Sequence, residues 1–280
     1  MSVLAERLAR EGRFDRSRFL RFFVAGEPIG WLRPALAARL SRWPDLFESH
    51  AGELHLARRL STSEARSEAL VDVVRELADE GLVGGWRGES FAISTAPAGP
   101  TLFCIDRVAV RPFGLPSLAA HVNGVAAGDR KKIWIARRSR TKVTDPGMLD
   151  NLVGGGVGAG FSAEDVLVKE AWEEAGIEAA LARSATRGGT VRILREVAEG
   201  VHSETIVVHD LTLPRDFRPQ NHDDEVEEFR LAPAEEVLAL ARDTEEFTLD
   251  AALVTLDHFL RAGAISPADP SYAGLKRWFA

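Results

Sequence analysis

"GGGVGAGFSAEDVLVKEAWEEAGI", residues 154–177, decides how this chain is read. A glycine-rich entry leads into a segment with helical periodicity. Ser162 followed three residues later by Asp165 is a capping-box-like start, and Gly176 suits the stop. In a helix between them, Glu170, Glu173 and Glu174 share one face, being three and four residues apart. Val168, Ala171, Trp172 and Ala175 fall towards the other side and suit a core. Three carboxylates on one face repel one another, and Lys169, four residues before Glu173, offsets only a few tenths of a kcal/mol. A divalent cation removes that repulsion. Mg²⁺ is a hard ion that takes oxygen ligands and bridges carboxylates to phosphates. Glycines before the helix let backbone approach a phosphate or a metal closely. The bland alternative is a solvated acidic face. The glycine entry and glycine stop at fixed distances from the acids favour a site.

Working outward, the 280 residues are 45% hydrophobic and 28% charged, which is globular and long enough for one large or two ordinary domains. The net charge of −7 argues against a nucleic-acid backbone or an anionic membrane as main partner. A small phosphorylated substrate stays compatible, because a bound cation reverses the local field. The single cysteine, Cys104, forms no intrachain disulfide and implies a reducing compartment. The N-terminal "MSVLAERLAREGRF" reads as a charged amphipathic helix without the apolar core and cleavage site of a signal peptide. No apolar run approaches the roughly 20 residues of a membrane span. The expectation is a cytoplasmic protein.

Upstream, "RFLRFFVAGEPIGWL" reads as a hairpin around a Gly-Glu-Pro turn. "PALAARLSRW" reads as a short helix with Pro34 near its start. "STSEARSEALVDVVRELADEGL" is a helix capped by Ser61 or Ser63 and ended by Gly81. "FAISTAPAGPTLFCIDR" gives two short strands. The Pro/Gly-rich "RPFGLPSLA" marks a domain boundary near residue 118, so residues 1–118 and 119–280 are expected to fold as two units. Beyond it, "LAAHVNGVAAGDRKKIWIARRS" reads as two strands joined by a Gly-Asp turn, Gly128-Asp129. Downstream of the acidic helix come a strand pair in "TVRILREVAEGVHSETIVVHDLTL", a loop into a strand in "DDEVEEFRLA", and two closing helices.

The quoted stretch resembles the Nudix box, G-x5-E-x7-R-E-U-x-E-E-x-G-U, with U a bulky apolar residue. Gly155 takes the first glycine, and Glu170, Glu173, Glu174, Gly176 and Ile177 take their places. Phe161 stands where the first glutamate belongs, Lys169 replaces the arginine, and Ala171 is small for its apolar place. The lysine keeps the charge without the bidentate fork. The resemblance implies the Nudix fold, an α+β arrangement with a mixed β-sheet between helices, here preceded by a smaller α+β domain. It implies that the last three glutamates bind Mg²⁺ or Mn²⁺, and that one serves as base for the attacking water. Gly154 is implied as a metal ligand through its carbonyl. In the family a further acid from a later loop often completes the metal site, and Glu225 in "DDEVEEF" is its best match. Homodimers are common in the family, so a homodimer is a candidate assembly.

"HVNGV", "IWIARRSRTKVTDPGMLDNLVGGGV" and "DDEVEEFRLAPAEEVLALARDTEEFTLDAALVTLDHFLRAG" resemble the Nudix proteins related to the N-terminal part of fungal thiamine pyrophosphokinases. "GGWRGESFAI" and "IDRVAVRPFGLP" resemble the domain of unknown function that precedes it there. The expectation is that Nudix part without a kinase. Members of the subfamily often lack the first glutamate of the box, and related proteins hydrolyse damaged thiamine diphosphate analogues. A thiamine-like diphosphate is thus the implied small-molecule substrate.

Arg137, Arg138, Arg140 and Lys142 form a basic run before the box. They read as phosphate contacts or as a solvated strand end. Asp150 and Asn151 read as loop-shaping side chains. His121 and His202 are acid/base candidates, each more readily structural. Trp86 reads as a packing residue or as a platform for a cationic heterocycle, beside an Arg87–Glu89 ion pair. Cys104 reads as a small core residue. The catalytic set is then Glu170, Glu174 and Glu225, with Arg137, Arg138, Lys142, Gly155 and Trp86 toward substrate. The rival reading is a Nudix-fold binding or sensor protein that holds a phosphorylated metabolite without turnover.

Overall fold

The computed structural model describes residues 3–128, 132–266, 268–269 and 272–279. Its first helix, α1 (Val3–Glu11), carries Leu4 and Leu8 on one buried stripe. A hairpin follows, β1 (Leu20–Val24) and β2 (Glu27–Leu32). Its turn is Ala25-Gly26, both at positive φ. Glu27 and Pro28, expected in the turn, instead begin β2. Next come α2 (Pro34–Leu40), β3 (Phe47–His50) and β4 (Glu53–Leu56). These strands form a four-stranded sheet, β2-β1-β4-β3, with β1 and β4 parallel. The α3 helix (Ser63–Asp79) is capped by Thr62, whose side chain accepts from the Ala65 N–H, and not by Ser61 or Ser63. The strands β5 (Ser90–Ile93) and β6 (Phe103–Asp106) pair by themselves. Phe22, Leu54, Val74, Phe103 and Phe113 make one core here.

The second half is built on β7 (Pro116–Ala126) and β8 (Lys132–Arg138). Asp129 of the expected Gly-Asp turn lies outside the described residues. Then come β9 (Leu149–Asp150), β10 (Val153–Gly156), α4 (Ala163–Ala175) and α5 (Ala179–Ala182). After them run β11 (Thr186–Val197), β12 (Gly200–Leu213), β13 (Val226–Pro233), α6 (Ala234–Asp243) and α7 (Leu249–Arg261). The sheet runs β11-β12-β7-β8-β13, with β10 on β7 and β9 on β8. Among the described residues, the β7–β12 pair is the one parallel strand pair within it.

Side chains alternate across a strand, and that alternation divides two cores. Ala119, Ile206 and Val208 face one of them, under α1, α6 and α7. Ala120, Val122, Val207 and Leu211 face the other, under α4. The fold is the expected mixed sheet between helices, preceded by a smaller α+β unit. One element crosses over in sequence: Leu4 and Leu8 of α1 pack in the core of the second half, with Val237 and Trp278.

Candidate active site at the mouth of the glycine strand

The first half of β7 pairs with β10 and the second half with β8. That branch places Gly154 opposite His121, Gly155 opposite Ala120 and Gly156 opposite Ala119. The glycines are thus an edge strand, where the sequence suggested an open entry loop. Their missing side chains leave room for protein groups. A Cβ on Gly154 would stand 2.8 Å from the His121 ring, on Gly155 2.5 Å from Glu170 Cγ, and on Gly156 2.9 Å from the Phe91 ring.

The capping box forms as expected: Ser162 Oγ accepts from the Asp165 N–H, and the Asp165 carboxylate accepts from the Ser162 N–H. The αL conformation of Gly176 ends α4. The three glutamates share a side of the helix but not an environment. Glu174 is buried, and its Oε2 accepts from the Gly154 N–H at 2.8 Å. Burial pushes its pKa up to about 8; the Gly154 N–H opposes this, Asp150 and Glu170 add to it, and Lys142 opposes it. Burial also raises the Glu170 pKa, against the Lys169 ammonium. Glu173 is half exposed and shares Lys169 with Glu170. Ala171 and Ala175 are buried as expected, whereas Trp172 is 47% exposed and lies against His222. Its ring caps the loop that returns to α4 through the His222 N–H to Glu173 carbonyl bond.

Glu225 lines a small cavity together with Glu174, Asp150 and Lys142. Its carboxylate pairs with the Lys142 ammonium. Burial pushes the Lys142 pKa down, and Glu174 and Asp150 counter this. A partly buried ammonium thus sits among these carboxylates, which offset part of its desolvation without cancelling it. That donor set, oxygen-only and partly desolvated, fits a hard divalent ion.

Beside this small cavity lies one cleft of about 1490 Å³ between the two halves. Ligand pockets commonly hold roughly 300–1,000 Å³, so the cleft exceeds what a bare diphosphate needs. Glu170, Glu173, Gly154, Gly155, Lys142 and Glu225 line it. The first half contributes Arg87, Glu89, Phe91, Arg107 and Arg111. Arg107 pairs with Glu89 at 2.9 Å.

Other expected contacts fall elsewhere. Arg137 does not line the cleft; it donates to the Gly147 carbonyl and approaches Glu228. Arg138 lines it, but its donors are taken by Asp150 at 2.7 Å and by the Thr144 and Asp145 carbonyls. It shapes the loop, and so does Asp150, which also accepts from the Asn151 N–H. Trp86 is 40% exposed, carries the Arg75 guanidinium over its ring, and is not a lining residue. Phe161 is 58% exposed and lines the cleft. His121 lines it and meets Asn151 Oδ1 at 2.9 Å. Cys104 is half-buried in β6.

The sequence reading passed over the contribution of Arg107 and the grouping of His202 with Glu204 and Asp250. His202 and Glu204 are two apart on one strand face, which is a weak signal. Asp250 comes from a distant helix and carries none. Among the described residues, no helix is long and apolar enough to cross a membrane.

Comparison with known proteins adds the following. A family described as the NUDIX domain matches residues 118–252, and a domain of unknown function, DUF4743, matches residues 2–117. Over 262 residues the chain is 36% identical to Nudix hydrolase 24, chloroplastic, of Arabidopsis thaliana, covering 92% of this chain and 72% of that protein. It is 34% identical to Nudix hydrolase 20, chloroplastic, of the same plant, covering 92% and 71%. It is 31% identical to an uncharacterized protein of Saccharomyces cerevisiae, covering 69% of this chain and 60% of that one.

Proposed function

The chain belongs to the Nudix hydrolase family, and from that premise we propose that it cleaves the phosphoanhydride bond of a small organic diphosphate of the thiamine type, with Mg²⁺ or Mn²⁺. The family's metal-dependent pyrophosphohydrolase chemistry is the coarse frame. The observation that carries the finer reading is Glu174. It is a buried carboxylate with one backbone donor and a raised pKa, lining a small cavity with Asp150, Lys142 and Glu225, beside the cleft that Glu170 and Glu173 line.

Glu170, Glu173 and Glu174 would hold the cation, with the Gly154 carbonyl and Glu225 beside them. When bound, a divalent ion neutralises phosphate charge and lowers the pKa of water. The chain's residues do the rest. The Gly154 N–H fixes Glu174 Oε2, which leaves Oε1 to accept the proton of the attacking water. Water oxygen bonds to a phosphorus, the bridging P–O bond breaks, and a monophosphate and inorganic phosphate leave. Lys142 and Lys169, which line the cleft and pair with its glutamates, would meet phosphate oxygens once a cation takes those carboxylates. Phe161 and Phe91 offer apolar contact to the organic half, next to the arginines of the first half. We also propose the division near residue 118 as the domain boundary, so that each unit supplies one wall of the cleft.

Phosphate release from thiamine, oxidised-thiamine and nucleoside diphosphates and ADP-ribose, with Mg²⁺ or Mn²⁺, tests this reading. Turnover of the thiamine-like members supports it. Turnover of another member only discards the substrate class. Ligand-dependent thermal stabilisation with no turnover of any member favours the binding-protein reading.

A further inference from the structure

A second group of ligating side chains sits on the wall of the same cleft, away from the helix that carries the box. His202 and Glu204 project from β12, and Asp250 from the first turn of α7. All three line the cleft. Ligating atoms of the three lie within 4.8 Å of one another. Glu204 is opposite Ser117 on β7, whereas Gly155 is opposite Ala120. Three residues of strand separate them, roughly 10 Å at about 3.3 Å per residue. Paired catalytic ions stand only about 3.5–4 Å apart, so this group is not the second half of a site at the box.

The imidazole is 2% exposed. Its Nε2 meets Glu204 Oε2 at 3.3 Å, and Glu204 Oε1 accepts from Ser117 Oγ at 2.9 Å. Its other nitrogen, Nδ1, is buried without a hydrogen-bond partner and stands 3.9 Å from Asp250 Oδ2. Asp250 Oδ1 is likewise buried and unpartnered. A buried nitrogen and a buried carboxylate oxygen left unmatched side by side cost free energy. A tetrahedral ion with bonds of about 2.0–2.2 Å holds two ligand atoms roughly 3.4 Å apart, so the 3.9 Å gap closes by about half an ångström when an ion enters.

We propose that His202, Glu204 and Asp250 form a cation site for a first-row divalent transition metal such as Zn²⁺, separate from the box carboxylates. His202 Nδ1 and Asp250 bind the ion, and Glu204 holds the imidazole from its far side. Ser117 orients Glu204. A carboxylate behind a metal-bound histidine fixes its tautomer and raises its basicity. Imidazole with carboxylate suits Zn²⁺ or Mn²⁺, where an all-oxygen set suits Mg²⁺ or Ca²⁺. The remaining coordination positions open on the cleft, where they take an oxyanion or hydroxyl of the bound molecule. The alternative chemistry for the same atoms is a protonated imidazole between two carboxylates.

Anomalous diffraction from crystals of the full chain grown with Zn²⁺ separates the two. A Zn²⁺ peak bonded to His202 Nδ1 and Asp250 is expected. Its absence, with the ring paired to both carboxylates, overturns the proposal. In solution, the chain with Glu170→Gln and Glu174→Gln should still bind one Zn²⁺, and adding Asp250→Asn should weaken that binding at least tenfold. Zn²⁺ binding that Asp250→Asn leaves unchanged overturns it too. Both readouts are binding, so they succeed or fail independently of whether any diphosphate is hydrolysed.

Discussion

Gly155 and Glu170 are packed so closely that a Cβ on the glycine would stand 2.5 Å from Glu170 Cγ. The box glycine therefore sets the position of a box carboxylate directly. Gly155→Ala should push Glu170 aside at a cost of about 1–2 kcal/mol in stability. Activity should fall about 10- to 100-fold, because ligand placement is lost. Gly160→Ala is the contrast. Gly160 has positive φ and no atom near its would-be Cβ, so it should cost about 1 kcal/mol in stability with little change in rate. Equal rate losses in the two variants would contradict this.

Glu174 links pH to cation binding. Its folded pKa, about 8, lies above the unfolded carboxylate value of about 4. The folded chain therefore holds a proton that the unfolded chain has lost, and cation-free stability should fall as pH rises through that window. Cation binding displaces the proton, so Mg²⁺ or Mn²⁺ affinity should rise over the same window. Urea denaturation at pH 5 and pH 8, with chelator and with Mg²⁺, measures both. Glu174→Gln should flatten both dependences.

Phe161 occupies the place of the first box glutamate, exposed at the cleft. Phe161→Glu should change stability by no more than about 0.5 kcal/mol. If the ring serves the organic half of the substrate, KM should rise and kcat hold. A rise in kcat with unchanged KM would instead assign the position to the chemistry.

Asp210 ties β12 to α7. It meets His258 Nδ1 at 3.0 Å, Arg261 Nη1 at 2.6 Å and Asn123 Nδ2 at 3.1 Å. Burial opposes its charge, but the His258 and Arg261 contacts outweigh this and hold its carboxyl well below the usual range. The resulting stability is fully present above the unfolded pKa of about 4 and is lost progressively as pH falls from there through the depressed folded pKa. Asp210→Asn should cost about 2–3 kcal/mol at pH 7. The difference from the unaltered chain should begin to shrink as pH falls below about 4 and keep shrinking toward the folded carboxyl's own, much lower range, as read by denaturant midpoints at pH 7, pH 3 and pH 2.

What was legible in the sequence was local. The Ser162–Asp165 cap, the Gly176 stop and the shared side of three glutamates all follow from helical spacing. What depends on distant partners was not. Spacing put Trp172 inward, yet the ring is held outside by His222. Spacing could not show that Glu174 is buried while Glu173 is half exposed. The glycines of β10 lack the side chains that signal a strand, and only their pairing with β7 makes them one. The β3–β4 pair, in "FESHAGELHL", was missed because its polar residues hide a short alternation. The basic run gave no sign that Arg138 is spent on its own loop, nor α1 that its partners lie more than 200 residues away. His202 and Asp250 meet only because β12 and the start of α7 converge.

The most direct test of the central claim compares the unaltered chain with Glu174→Gln for Mn²⁺-dependent phosphate release from the best diphosphate substrate. The variant's fold is checked by circular dichroism. The account predicts turnover in the first and a loss of at least about 100-fold in the folded second, as for removal of a positioned proton acceptor. Undiminished turnover in Glu174→Gln would contradict it.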